Sequence, residues 1–285
     1  MKTACFFILM GVVTAVACDE QHSPAVVSMA DGGAEAMQQQ LPDGLHVLTG
    51  QVPGLILGLS GGGDTPMRFV VGGAGGGFVL VRQGERIVRE EVPEGPTLWW
   101  IHSLGSYGVW ACGDGGRILR LGPTGWHVEE TGLSAEATLW GLWASGPEDL
   151  WAVGGSNAFN GPKTIVLHST GDGRWERMET PESVDGLNFY KVWGRSSREV
   201  YVVGAFGTSL RWDGEAFSVV EMGSSDLFFT MHGHGDLALA VGGTSSGVVK
   251  RLGSDGWSDD TFPQGQPRLN GVHVSSGGEA WVSGE

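Results

Sequence analysis

The chain has 285 residues, with 50 Gly, 12 Trp, 11 Phe and a formal net charge of −15. A glycine share more than twice the usual level of about 7% excludes a mainly helical protein, because each interior Gly costs a helix roughly 1 kcal/mol relative to Ala. The absence of a Gly-X-Y period excludes collagen, the aromatic content excludes disorder, and the acidic surface repels phosphate backbones, which excludes nucleic acid as a partner.

At the start of the chain Lys2 precedes an uncharged run over residues 3–17, too short to span a bilayer but suited to a secretory signal. It ends Ala15-Val16-Ala17 before Cys18, which resembles a bacterial lipobox and predicts cleavage before Cys18 and lipid attachment to it. Ordinary signal cleavage would cut the same bond. Residues 1–17 are therefore read as a signal peptide, 18–30 as a lipid-anchored tether and 31–285 as one β-domain. The expected address is the bacterial cell envelope, periplasmic or outer surface, with the lipid as the one membrane contact. Cys5 leaves with the signal and Cys112 lies in an apolar run, so no disulfide framework is expected.

From residue 54 onward one phrase recurs as RFVVG, VWACG, LWAVG, VYVVG, LAVG and AWVSG. The closing glycines, at 72, 113, 154, 204, 242 and 284, are 41, 41, 50, 38 and 42 residues apart. Ten or eleven residues before five of them stands a Trp or His: His102, Trp143, Trp193, His232 and His273. After each of the first five comes an apolar residue in a turn-flanked strand: Ile87, Trp126, Trp175, Phe217 and Trp257. Each unit reads as four short strands, a to d, with hairpin turns at Thr124-Gly125, Asp213-Gly214 and Asp255-Gly256. Four strands per 40 to 50 residues matches a β-propeller blade. The sequence thus predicts an all-β, six-bladed propeller of four-stranded antiparallel blades. The blades fall at about 54–95, 97–133, 138–181, 187–223, 226–262 and 268–285 plus 31–50.

The last unit stops after strands a and b. Residues 42–47 (PDGLHV) resemble residues 123–128 (PTGWHV), a strand d with its turn, so the N-terminus is expected to supply the outer strand of the last blade. That arrangement removes a free edge. Residues 34–40 (AEAMQQQ) contain no β-branched residue, which leaves their strand character open.

Residues 138–178, with LWGLWASGPEDLWAVGG followed by TIVLHSTGDGRWERM, resemble the W-G-S-S-x-x-D-V-W-A-V-G repeats of exported bacterial propellers, often lipoproteins and notably myxobacterial. They are more distantly similar to BNR or Asp-box repeats of sialidases and photosystem assembly factors. The resemblance covers residues 54–285 and implies a fold rather than a reaction. Sialidases of this fold pair an arginine cluster with a Tyr nucleophile. Here the Tyr residues are Tyr107, Tyr190 and Tyr201, the last in a packing position, and the Asp-box at residues 169–175 is one residue short.

Other candidate chemistry gives way to structural readings. His232-Gly233-His234 has no third nearby ligand for zinc, so His232 reads as packing between blades, although His102, His232 and His273 would converge in a narrow channel. The glycine runs at 59–63 and 72–77 lack a following helix and Lys, and read as turns. Asp259-Asp260 lacks calcium-loop spacing. No metal or cofactor is expected. Three residues before the Trp/His column stand Trp99, Trp140, Tyr190, Phe229 and Asn270, with Ile56 as the counterpart in the first unit. Residues opening strand a lie near one rim of a propeller channel, and aromatic rims bind sugars and peptides by stacking. The long b to c loop of unit three, residues 155–163 (GSNAFNGPK), lies on the same face and offers Asn157, Phe159 and Asn160 as contacts. The expected function is that of a monomeric, non-enzymatic propeller that binds a protein or glycan through its channel mouth. A glycan-active hydrolase or lyase with a site at that mouth is the alternative.

Overall fold

The computed structural model describes residues 16–17, 46–47, 55–62, 65–72, 76–83, 86–158, 161–263 and 265–284. A short ladder pairs β1 (Val16–Ala17) with β2 (His46–Val47). Sheet one holds β3 (Leu55–Gly62), β4 (Thr65–Gly72), β5 (Phe78–Gln83) and β6 (Arg86–Glu90). Sheet two follows with β7 (Leu98–Ser103), β8 (Val109–Gly113), β9 (Ile118–Gly122) and β10 (Gly125–Glu129). Sheet three holds β11 (Thr138–Gly146), β12 (Asp149–Gly155), β13 (Ile165–Ser169) and β14 (Glu176–Arg177). Sheet four holds β15 (Phe189–Ser196), β16 (Glu199–Gly204), β17 (Ser209–Trp212) and β18 (Phe217–Val219). Sheet five holds β19 (Phe228–His234), β20 (Leu237–Gly242), β21 (Val248–Gly253) and β22 (Gly256–Asp259). Sheet six, among the described residues, consists of β23 (Leu269–Val274) and β24 (Ala280–Gly284). Every pairing is antiparallel between strands adjacent in their sheet, as the repeat implies. Among the described residues no helix is long and apolar enough to cross a membrane.

The expected closure at the last sheet finds no ladder among the described residues. His46–Val47 pairs with Val16–Ala17, and β24 carries no partner other than β23. Residues 18–45 and 48–54, with Cys18 and the doubtful 34–40 segment, lie outside the described residues.

The inner strands succeed one another, β3 against β7, β7 against β11, and so on through β15 and β19 to β23. Apolar clusters fill the gaps between successive sheets. Val70 and Val79 of sheet one meet Leu98, Ile101 and Trp126 of sheet two, and Trp110 and Ile118 of sheet two meet Leu139, Leu142 and Ile165 of sheet three. The second strands of sheets two to five are packed on both faces; β8 and most of β12, β16 and β20 are buried along their length. A strand covered on both sides reads as a continuous apolar run, which is why VWACG and its sisters show no alternation. Outer strands are tied across sheets by indole hydrogen bonds: Trp126 Nε1 donates to Glu90 at 2.9 Å and Trp175 Nε1 to Glu129 at 2.7 Å. In sheet four Phe217, which has no N–H, packs edge-on against Trp151 instead, at 5.7 Å between centroids.

A register shift interrupts each innermost pair: one residue of strand a, Leu57, Trp99, Trp140, Tyr190, Phe229 or Asn270, has no partner on strand b. Such a bulge sharpens the local twist and turns its side chain out of the sheet plane. The closing glycines are what the close backbone approach beside it demands. A Cβ on Gly113, Gly154, Gly204, Gly242 or Gly284 would collide with the main-chain carbonyl of Thr97, Thr138, Asn188, Leu227 or Arg268, each two residues before a bulge.

Candidate functional site

The six inner strands enclose a cavity of about 790 Å³. At its mouth stand the bulge residues, all half-buried, whereas the residue before each one, from Ile56 to Leu269, is buried in the core. Trp99, Trp140, Tyr190 and Phe229 therefore meet at one opening, with Asn157 beside them. Trp140 and Tyr190 rings lie 5.1 Å apart and Tyr190 and Phe229 5.7 Å apart, which makes a continuous aromatic arc over three sheets. The Arg268 guanidinium caps the arc over Phe229 at 5.5 Å. Trp99 is pinned from the loop side, where Asp114 accepts from its Nε1 and from Thr138 Oγ1, both at 2.8 Å. Burial raises the Tyr190 phenol, with a hydrogen bond to Asn188 working the other way.

One expectation is corrected. Ile56 is not the first-sheet member of this column: it is 2% exposed in the core, and Leu57 takes the mouth position. In sheet one the closing Gly72 pairs with Leu55, so Ile56 and Val71 add a rung before the bulge. Counting back from the glycine therefore misses by one. Phe159 and Asn160 lie outside the described residues, and their exposed loop neighbour Asn157 lines the cavity.

Below the mouth is a level that sequence reasoning missed. Lys191, directly after the Tyr190 bulge, is 5% exposed, and its amine lies over the Trp100 ring with no hydrogen-bond partner. The available signal was a charged residue in FYKVWG where sister strands have Trp100, Gly141, Thr230 or Gly271. Lower still is the Trp/His column. Trp143 lies against Gly194 of the next sheet and Trp193 against Gly233. His232 replaces that packing with an acceptor, since the Val274 N–H donates to its Nδ1 at 3.0 Å, and it stacks on His273 at 4.8 Å. These rings do converge inward: burial, with Lys191 adding, pushes His102 down to about 4. Burial first, then His273, Lys191, His102 and His234, brings His232 to about 3. Burial also lowers His273, and holds Lys191 well below the usual lysine range, with only Cys112 pulling it back. The interior thus holds imidazoles uncharged at neutral pH and an amine whose protonated form burial disfavours. Cys112 is fully buried with its thiol pushed up to about 12, mainly by burial, which makes it unreactive. His234, two residues from His232, is exposed, and among the described residues no three His, Cys, Asp or Glu groups come together as a metal site.

A second unpredicted feature borders the mouth end. In the b to c loop of sheet two, Gly115 and Gly116 adopt φ of 74° and 63°. At the corresponding turn of sheet four Phe206 and Gly207 adopt 55° and 65°. An aromatic residue in the left-handed region costs roughly 1 kcal/mol or more, yet Phe206 is 67% exposed and gains no burial in return.

Comparison with solved structures shows what this arrangement is. The structure of virginiamycin B lyase from Staphylococcus aureus matches with a TM-score of 0.67 at 13% identity, covering 80% of this chain and 77% of that one. The structure described as YCF48 bound to D1 peptide matches with a TM-score of 0.60 at 13% identity over 84% and 78%. A streptogramin B lyase structure matches at 0.64 and 14% identity over 80% and 76%. The fold is propeller-like. No protein-family model and no curated protein matches the chain. At these identities the likeness concerns the fold alone.

Proposed function

We propose that this chain is an exported, envelope-tethered, monomeric propeller of six sheets that binds a segment of a protein or glycan partner in its channel mouth. The observation that carries the reading is the convergence of Trp99, Trp140, Tyr190 and Phe229, each on its own bulge, at the opening of one cavity of about 790 Å³. Rigid aromatic rings around a concave opening supply stacking area at low entropic cost. YCF48, described with a bound D1 peptide, supports a peptide-holding role for this fold. The decisive experiment is a pull-down from envelope extract with the detergent-solubilised full chain. A partner retained by the wild type and lost by a folded Trp140→Ala, Phe229→Ala double variant supports the mouth. Equal retention by both places binding elsewhere.

Lipidation of Cys18 belongs to the same reading and rests on Ala15-Val16-Ala17-Cys18. Labelled palmitate enters the wild type and not Cys18→Ser; equal labelling of both refutes the anchor. Closure of the sixth sheet by residues 31–50 rests on the PDGLHV and PTGWHV match and on the two-stranded sheet of β23 and β24. The present partner of His46–Val47, Val16–Ala17, falls within the predicted signal and would leave with it. In the processed protein, deletion of residues 41–50 then destabilises far more than deletion of residues 19–30, as read by denaturant midpoint.

One observation favours a second reading, a lyase or hydrolase: His102, His232, His273 and Lys191 are basic side chains inside the cavity whose protonated forms burial disfavours, and two matching structures are lyases. Turnover of a glycan or lactone panel that disappears in His102→Gln would establish it.

A further inference from the structure

We propose that the level below the mouth is a carboxylate site, in which Lys191 receives the acid head of a ligand whose tail stacks at the aromatic mouth. The inference rests on the mouth reading and gives its ligand a chemical class. Three residues that line this one cavity, Lys191, His273 and Ser103, each carry a buried polar atom without a hydrogen-bond partner. A buried polar group left without a partner is costly, so each is an open valence for something the cavity admits. All three can donate, which calls for an acceptor-rich head.

The electrostatics give the sign. The ionisable side chains lining the cavity include His102, Lys191, His232, Arg268 and His273, and among the described lining residues there is no Asp or Glu. That lining belongs to a chain with 32 acidic residues against 17 Lys and Arg. The titratable groups facing Lys191 are His102, His232 and the Cys112 thiol, none of which carries a counter-charge at neutral pH. Trp100 lies under the Lys191 amine, and its ring face is a partner for the protonated form. An anion therefore finds an amine whose protonated form burial disfavours in the empty channel and which the anion's charge would favour again. A small set of side-chain donors suits a planar, singly charged carboxylate better than a phosphate, which calls for several charged or main-chain donors.

The test uses the full chain and two probes of one shape, 3-phenylpropionate and its amide, by titration calorimetry at neutral pH. The acid is expected to bind about ten-fold or more tightly than the amide. Lys191→Met is expected to bring the acid down to the amide's level. Should that variant not fold, Lys191→Gln is expected to cut the same preference in part. Trp140→Ala is expected to weaken both probes alike. A peptide with a free or amidated C-terminus, and glucuronate, form further arms that separate a chain end from a sugar acid as the source. Equal affinity for acid and amide, no binding of either probe at millimolar concentration, or an acid preference surviving Lys191→Met would each overturn the proposal. If Lys191→Met removes the preference while mouth variants change nothing, the floor stands and the mouth reading falls; the reverse outcome separates them the other way.

Discussion

The mouth and the floor of the channel are built from neighbouring positions of the same six strands, yet they follow opposite rules. At the mouth Trp99, Trp140, Tyr190 and Phe229 are half-buried, the last three in ring contact, and Trp99 hydrogen-bonds to Asp114. Below it the side chains are polar, Lys191 is buried, and Lys191 Nζ, His273 Nε2 and Ser103 Oγ have no hydrogen-bond partner. A bulge separates the two levels in every sheet. The lesson is that one backbone irregularity lets a repeat assign stacking to one level and charge chemistry to the next.

The largest effect that sharpens this comparison concerns packing. Trp143 fills space between sheets three, four and five and lies on Gly194, so Trp143→Ala is expected to cost about 3 to 5 kcal/mol. Trp140→Ala, three residues away at the mouth, is expected to cost under about 1.5 kcal/mol. Denaturant unfolding that gives equal losses would break the distinction between the levels.

Next in size is an acid effect confined to the floor. The folded-state value of His102 is about 4 against an unfolded 6.5. The unfolded chain therefore binds more protons across that window, and stability falls as pH drops from 6.5 to 4 and levels off below. His102→Gln is expected to remove about 3 kcal/mol of that loss, an upper figure at 1.36 kcal/mol per unit. Identical pH profiles for the two proteins would refute it. Lys191 acts with the same sign at higher pH. Its lowered value means that wild-type stability rises toward the usual lysine range, and Lys191→Met is expected to be more stable than wild type at neutral pH.

The smallest expected effect lies at the mouth-end loop. Phe206→Gly gives the turn the residue that sheet two uses at Gly115, and is expected to raise stability by about 1 kcal/mol. Partner binding is expected to weaken at the same time. A variant that gains stability with unchanged binding would make the strained phenylalanine unrelated to recognition.

Much of this architecture could be read from residues alone because it repeats. The closing glycines and the Trp/His column mark strands b and a in each unit, and the structure puts Trp99, Trp140, Tyr190 and Phe229 at one opening, as their spacing implies. Ile56 was misassigned because sheet one has an extra rung, and no periodicity shows where a bulge interrupts a ladder. Lys191 was missed for a different reason. Its meaning depends on Trp100 and the histidines of other sheets, and a single unit carries no trace of them. Phe206 was missed because a left-handed φ at a non-glycine residue leaves no mark in composition.

The closing glycines have one further consequence. Those of sheets two to six make room for the main chain beside their own bulge, whereas a Cβ on Gly72 would meet the Leu57 side chain itself. Trp99, Trp140, Tyr190, Phe229 and Asn270 are therefore five letters that can be rewritten singly without disturbing the spelling of the fold. A library randomised at those five codons, with every glycine kept, would be a family of receptors sharing one scaffold. Its members should differ in what they hold far more than in how firmly they fold.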